Sequence, residues 1–245
     1  SSAASDVYKR QLFTTDGTEP ILTAFSAADG SFSFTGVPYG KYVVREIAAP
    51  EGYVTDDTPY AVKIDADGAV VEIEAVNTRI RGSVQLTKVD RDYPDHYLTG
   101  AEFEVYRDGE LVGTLEELSD GVYRLDGLAY GDYTMKETKA PAGFSLDEQT
   151  YAFSITENGG TVIVENEAGK DFVNAAQAGS LRIEKTSEDD RLQGFTFRVS
   201  GTDVTGNAFS KDYVTDENGQ IKIDGLRIGC LLYTSDAADE GLGVD

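Results

Sequence analysis

Hydrophobic and polar positions alternate along much of the chain. In GDYTMKETK, residues 131–139, Tyr133 and Met135 leave one face of an extended backbone, and Glu137 follows in the same phase. A period of two is the signature of a strand with one buried face. A tyrosine and the chain's single methionine mark that face as the inner one. Glu137 is thus placed among apolar groups, where a carboxylate is costly unless something pairs with it or protonates it. AEFEVY (101–106), YAFSI (151–155) and VVEIEAVN (70–77) alternate in the same way, with DG and NGG dipeptides between runs as hairpin turns. No stretch carries a convincing helical period. The pattern predicts an all-β chain of short antiparallel strands.

The pattern also repeats. GSFSFTGVPYGKYVVREIAAPEGY (30–53) aligns without a gap on GVYRLDGLAYGDYTMKETKAPAGF (121–144), with 9 of 24 positions identical. A third copy begins as GQIKIDGLRIG at 219–229. The spacing suits one small domain per repeat rather than a solenoid unit. Several short strands per repeat, with close-set turn signals, read as an immunoglobulin-like β-sandwich, and three in tandem as a rod.

Glu137 is not the only polar residue on an inward phase. Lys88 follows Val84 and Leu86 in SVQLTKVD; Lys185 follows Leu181 and Ile183 in SLRIEKTS. Asn174 is in phase with Phe172 in DFVN, Asn77 with Val71, Ile73 and Ala75, and Glu46 with Tyr42 and Val44. Singly, each has an ordinary reading. A glutamate near a strand end reaches back to solvent, a lysine on an edge strand blocks aggregation, and an asparagine at a strand end makes a turn. Their recurrence in register sets them apart.

With these residues in view, the chain resembles the isopeptide-forming SpaA-type and collagen-adhesin B-type (Cna B-type, prealbumin-like) domains of Gram-positive pilins and surface adhesins. The resemblance rests on the block xYxxxExxAPxGY, present from Tyr42 to Tyr53 and from Tyr133 to Phe144, on an opening strand such as LTKVD, and on a closing strand such as FVN. It implies tandem immunoglobulin-like (prealbumin-like) β-sandwich domains, one complete and two truncated. Residues 12–78 are the C-terminal part of a first domain, 79–177 a complete one, and 178–229 the N-terminal part of a third. Phase and resemblance together make Lys88 a nucleophile, Asn174 an electrophile and Glu137 an acid/base. Glu46, Asn77 and Lys185 belong to incomplete sites. Aligning Asp16-Gly17 with Asp108-Gly109, an offset of 92, puts the first domain's lysine before the chain begins. The end units are expected to fold poorly, with unpaired strand edges.

The chemistry follows from the residue types. A lysine amine attacks a carbonyl only when unprotonated, and burial disfavours its charged form. An asparagine amide needs its carbonyl polarised, and a glutamate in its acid form can donate that hydrogen bond and relay protons. Ammonia leaves and an amide joins the two side chains. This is one turnover of the protein on itself, not enzymatic action on a substrate.

Composition narrows the partners. The 245 residues include 44 acidic and 21 basic side chains, a net charge of −23, which would repel nucleic acid and anionic membranes. No apolar run could span a bilayer. The ends stand apart: SSAASDVYKRQ (1–11) and CLLYTSDAADE (230–240) resemble translations of the two strands of one sequencing adaptor. Residues 1–11 and 230–245 are therefore set aside, and 12–229 is read as an internal piece of a longer protein. The only cysteine, Cys230, falls in an excluded segment, so neither a disulfide nor a cysteine metal site is expected. DADG (65–68) and DENG (216–219) lack the further ligands of a calcium loop and read as turns. His96 has no second histidine or nucleophile nearby in sequence, and no cofactor or metal is implied.

The function expected from the resemblance is a structural stalk segment of a Gram-positive cell-surface adhesin or pilin-like protein, extracellular and attached to the cell wall. The alternatives are a host-protein or glycan-binding module and an accessory domain of a secreted enzyme. The implied partners are adjacent domains of the parent chain and peptidoglycan, through a C-terminal sorting signal outside this stretch. A binding module would add a host extracellular-matrix ligand.

Overall fold

A computed structural model of the chain describes residues 8–167, 171–188 and 191–235. Every helix or strand among them is a strand. The described residues form two compact units: one holds those up to Val84 with Leu125–Tyr133 and Ala152–Val162, the other Gln85–Arg124, Thr134–Tyr151 and those from Ile163 on.

The first repeat comprises β1 (Lys9–Thr14), β2 (Leu22–Phe25), β3 (Gly40–Ala48) and β4 (Tyr60–Ile64), an antiparallel sheet in the order β2-β1-β3-β4. Alternation in β3 turns Tyr42, Val44 and Glu46 inward, and Leu12, Tyr42 and Val44 form its buried core.

The middle repeat runs β5 (Arg81–Asp90), β6 (Glu102–Arg107), β7 (Glu110–Thr114), β8 (Glu116–Ser119), β9 (Val122–Ala129), β10 (Gly131–Lys139), β11 (Thr150–Ile155), β12 (Thr161–Ile163) and β13 (Phe172–Asn174). These make two sheets, β11-β10-β6-β7 and β12-β5-β9-β8, with β13 added parallel to β5. The β6–β7 hairpin turns at Asp108-Gly109, where φ is +52° and +83°. A tight hairpin demands that left-handed pair, which Asp-Gly tolerates. Leu86, Phe103, Val105, Tyr123, Met135 and Phe172 are wholly buried. Phe103 meets Tyr123 and Phe172 edge-on, with centroids 5.3 and 5.2 Å away, an arrangement worth more than its buried area alone.

The third repeat consists of β14 (Ala178–Glu184), β15 (Thr196–Asp203), β16 (Ala208–Val214), β17 (Gln220–Arg227) and β18 (Gly229–Ser235). β14 pairs with β17, and β15 lies between β16 and β18. Phe197, Val199, Ile221 and Ile223 form its buried core.

Two features depart from the sequence expectation. VVEIEAVN (70–77) alternates like a strand yet is not one, and neither is SFSFT (31–35), which aligns with β9. In the middle repeat the corresponding strands sit in the sheet built around β5. Among the described residues no strand precedes β1, so in the first repeat these segments lack the ladder that would satisfy their backbone groups. The second departure is at the ends. Lys9, Arg10 and Gln11 open β1, and residues 230–235 form most of β18, although both segments were set aside as adaptor-like; 1–7 and 236–245 lie outside the described residues.

The missing ladder has a measurable consequence. By NMR hydrogen exchange, amides of residues 70–77 should exchange at rates near those of a free peptide, while those of β6 and β10 stay protected. Protection at 70–77 equal to that of β13 would contradict the assignment.

Candidate functional site

Three strands converge on one buried point. β5 delivers Lys88, whose companions Val84 and Leu86 are, like it, wholly buried. β10 delivers Glu137 behind Tyr133 and Met135. β13 runs parallel to β5 in the register Phe172↔Lys88 and Asn174↔Asp90, which brings Asn174 beside the lysine. Gly121, at φ +73°, permits a close approach: a Cβ there would lie 2.7 Å from the Lys88 carbonyl oxygen. The Lys88 N–H donates to the Gly121 carbonyl at 2.6 Å.

The side chains form a closed set. Lys88 Nζ donates to Asn174 Oδ1 and lies 3.1 Å from Glu137 Oε1. Asn174 Nδ2 donates to both Glu137 oxygens, at 2.9 and 3.0 Å. The rings of Phe172 and Phe103 flank Nζ at 4.4 and 5.7 Å. Exposure is 0% for Lys88, 3% for Glu137 and 2% for Asn174. Burial pulls the Lys88 amine down to about 8 from 10.5, against the opposing pull of the Glu137 charge and hydrogen bond. The three residues singled out in the middle repeat therefore meet. One detail differs from expectation: Glu137 touches the amide nitrogen of Asn174, and the carbonyl oxygen faces Lys88.

Sequence reading missed the support behind the carboxylate. The Asp147 N–H donates to Glu137 Oε2 at 2.8 Å. Asp147 Oδ2 in turn accepts from the Tyr151 hydroxyl at 2.7 Å and from Asn166 Nδ2 at 2.8 Å. Burial pushes the Asp147 carboxyl up, but the Asn166 and Tyr151 hydrogen bonds outweigh it and hold the group below the usual carboxylate range. Asn166 also accepts from the Val173 N–H at 2.8 Å and donates to its carbonyl at 2.7 Å, fixing the strand that carries Asn174. The signal was present: extending the ungapped alignment past Phe144 sets Asp56 and Tyr60 on Asp147 and Tyr151.

The first repeat builds the same frame around a different cation. The Asp56 N–H donates to Glu46 Oε2 at 2.6 Å, and the Tyr60 hydroxyl to Asp56 Oδ2 at 2.5 Å. Asn77 Nδ2 donates to Glu46 Oε2 at 2.6 Å. Glu46 and Asn77 were expected to lack a partner, but Arg10 fills the place: Nη2 lies 3.1 Å from Glu46 Oε1 and 3.5 Å from Asn77 Oδ1. Arg10 is opposite Glu46 in register, where the middle repeat sets Phe103 opposite Glu137. It belongs to the segment, residues 1–11, that resembles adaptor sequence. In the third repeat Lys185 follows the end of β14; it is half-buried, its Nζ donating to the Thr186 carbonyl at 2.5 Å and standing 4.7 Å from the Phe195 ring.

The remaining candidates have structural roles. Asp216 Oδ1 accepts from the N–H groups of Asn218 and Gln220 at 2.9 and 2.8 Å, capping its own turn. At 65–68, the Ala69 N–H closes a turn onto the Ala66 carbonyl. His96 stacks on Tyr93 with centroids 5.4 Å apart.

The chain is similar to the serine-aspartate repeat-containing protein F of Staphylococcus epidermidis, 24% identical over 247 residues that cover 86% of this chain and 15% of that one. It is also similar to Colossin-A of Dictyostelium discoideum, 24% identical over 84% of this chain and 2% of that protein. Among solved structures, the Bacillus anthracis TIE protein superposes with a TM-score of 0.73 at 28% identity, over 94% of this chain and 42% of that one. This chain thus spans a small fraction of its curated relatives. The SpaA model, a prealbumin-like fold domain, matches residues 7–79, 82–170 and 179–235. The chain belongs to the SpaA family of prealbumin-like domains and carries three matches to it in tandem.

Proposed function

We propose that the middle repeat closes a covalent Lys88–Asn174 isopeptide bond within itself, and that the chain is a stalk segment of a Gram-positive cell-surface adhesin or pilin-like protein. The observation that carries the first part is the convergence of an amine, a carboxyl and a carboxamide, all buried and in mutual hydrogen-bond distance. Membership of the SpaA family and similarity to a staphylococcal repeat protein support the second.

The steps balance with these groups alone. Lys88 passes a proton to Glu137, which burial of the ammonium favours. The neutral Nζ attacks Cγ of Asn174. Glu137, already against Nδ2, hands the proton to that nitrogen as the Cγ–Nδ2 bond breaks, and takes the second Nζ proton in its place. Ammonia leaves, the amide remains, and the Glu137 proton is released with the ammonia as ammonium. The enclosed site holds the reactants at contact, which replaces a bimolecular encounter by an internal one. Asp147 keeps Glu137 oriented through its N–H.

The gain is mechanical. Lys88 and Asn174 stand 86 residues apart on the opening and closing strands. Force entering near one leaves near the other through covalent bonds, so the strands between need not unfold. By analogy with disulfide closure of a loop of that length, the link restricts the unfolded chain by about 4–5 kcal/mol. The proposed partners are neighbouring domains of the parent protein and, through its anchoring segment, the peptidoglycan.

Intact-mass measurement on the whole chain should show a deficit of one ammonia. Lys88→Ala and Glu137→Ala should each restore the full mass; an unmodified chain at full mass, or a deficit that persists in Lys88→Ala, would overturn the proposal.

An unlinked variant tests the lysine separately. In Asn174→Ala, a Lys88 amine at about 8 when folded against an ordinary 10.5 when unfolded means that the unfolded chain binds more protons between those values. Stability should therefore rise with pH across that window and flatten above it. Urea midpoints at pH 8 and pH 10, compared with Lys88→Met/Asn174→Ala, read this out; equal shifts in both variants would show that Lys88 is not the cause.

A further inference from the structure

The Ala-Pro-x-Gly-aromatic half of the repeated block takes no part in the Lys–Glu–Asn site, yet it recurs as APEGY at 49–53 and APAGF at 140–144. Both copies make the same contacts. In the first, the Gly52 carbonyl accepts from the Ile80 N–H at 2.8 Å, and the Ile80 carbonyl accepts from the Tyr130 N–H at 3.2 Å. In the second, the Gly143 carbonyl accepts from the Gln177 N–H at 2.8 Å, and the Gln177 carbonyl from the Ile228 N–H at 2.9 Å. Tyr53↔Arg79 and Phe144↔Ala176 form matching antiparallel bridges. In each case one connecting residue, Ile80 or Gln177, donates to the repeat it leaves and accepts from the repeat it enters. Tyr130 and Ile228 occupy one position, the residue before the glycine that opens β10 and β18.

The glycines are specific to this contact. Gly52 and Gly143 both have φ +85°. A Cβ on Gly143 would lie 2.7 Å from Val204 Cγ2 and 3.0 Å from Ile228 Cδ1, and one on Gly52 would lie 3.5 Å from Tyr130 Cβ. The turn is thus shaped to receive the corner of the following repeat.

At the second joint an ion cluster is added. Arg227 of β17 pairs with Asp90 at the end of β5, whose side chain is 0% exposed. Its Nη1 lies 2.7 Å from Asp92 Oδ2 and its Nε 2.9 Å from Asp203 Oδ2, with the guanidinium 5.0 Å from the Tyr93 ring. One cation holds three carboxylates together across the joint, and removing it would leave a buried charge and mutual repulsion.

We propose that the Ala-Pro-x-Gly-aromatic turn is a docking surface whose partner is the next repeat of the same family, and that Arg227 locks the second of these joints. Consecutive repeats are then clasped at each joint by these contacts. The device depends on none of the isopeptide chemistry, so it stands whether or not the bond forms.

Amide hydrogen exchange by NMR on the whole chain tests this. In the unaltered protein the Gln177 and Ile228 amides should be strongly protected. Arg227→Ala should speed both by at least about tenfold, with the Val105 and Met135 amides of the middle repeat unchanged. Should Arg227→Ala unfold the third repeat, Gly143→Val decides: it strains the turn from the middle-repeat side and should speed the same two amides while Val199 stays protected. Free-peptide exchange of Gln177 and Ile228 in the unaltered chain, or unchanged protection in Gly143→Val, would overturn the proposal.

Discussion

An ammonium group taken fully out of water is the constraint on which the middle repeat depends. Lys88 has no exposed atom and two aromatic rings beside it, so its charge is tolerable only with a carboxylate at hydrogen-bond distance, and that carboxylate is equally cut off. The two groups can coexist as an ion pair or share a proton as a neutral amine and acid. Burial disfavours the charged ammonium, and the lysine's downward shift reflects this. A neutral amine against a carboxamide is a nucleophile against an electrophile. In the proposed reaction the covalent bond would remove the buried charge altogether, and closure would relieve the desolvation cost of the site.

The first repeat shows which part of this arrangement decides its chemistry. Glu46, Asn77, Asp56 and Tyr60 reproduce the acceptors and donors of the middle site. The cation differs: Arg10 reaches Glu46 from a strand that corresponds to β6, at the place held by Phe103 in the middle repeat. A guanidinium neutralises the carboxylate but offers no lysine-type amine to act as a nucleophile. The lysine strand also organises half the sandwich. Where β5 is present, β13 pairs with it; where no such strand is described, 70–77 stays irregular despite its alternation. One strand therefore supplies both the buried lysine and the ladder that fixes the asparagine.

Much of this was legible in the residues. A period of two placed Lys88, Glu137 and Asn174 inward because all three lie on strands whose neighbours are large and apolar. Repetition separated them from ordinary surface charges. Asp147 was hidden because it acts from a loop, through its backbone N–H, where periodicity says nothing. Arg10 was hidden because residues 1–11 were set aside, although Arg10 shares a face with Leu12 on β1, both of them buried. The strand misread at 70–77 illustrates the limit of alternation, which reports which face would be buried but not whether a neighbouring strand exists to hold it. Arg227 and its three aspartates, far apart in sequence, carry no periodic signal at all.

In the proposed reaction the buried trio becomes a covalent link between the opening and closing strands of one repeat. Tandem mass spectrometry of a proteolytic digest tests it most directly. A branched peptide joining the Lys88 and Asn174 segments, lighter by one ammonia than their sum, is the expected product. Two separate linear peptides carrying an intact Lys88 and an intact Asn174 would contradict it.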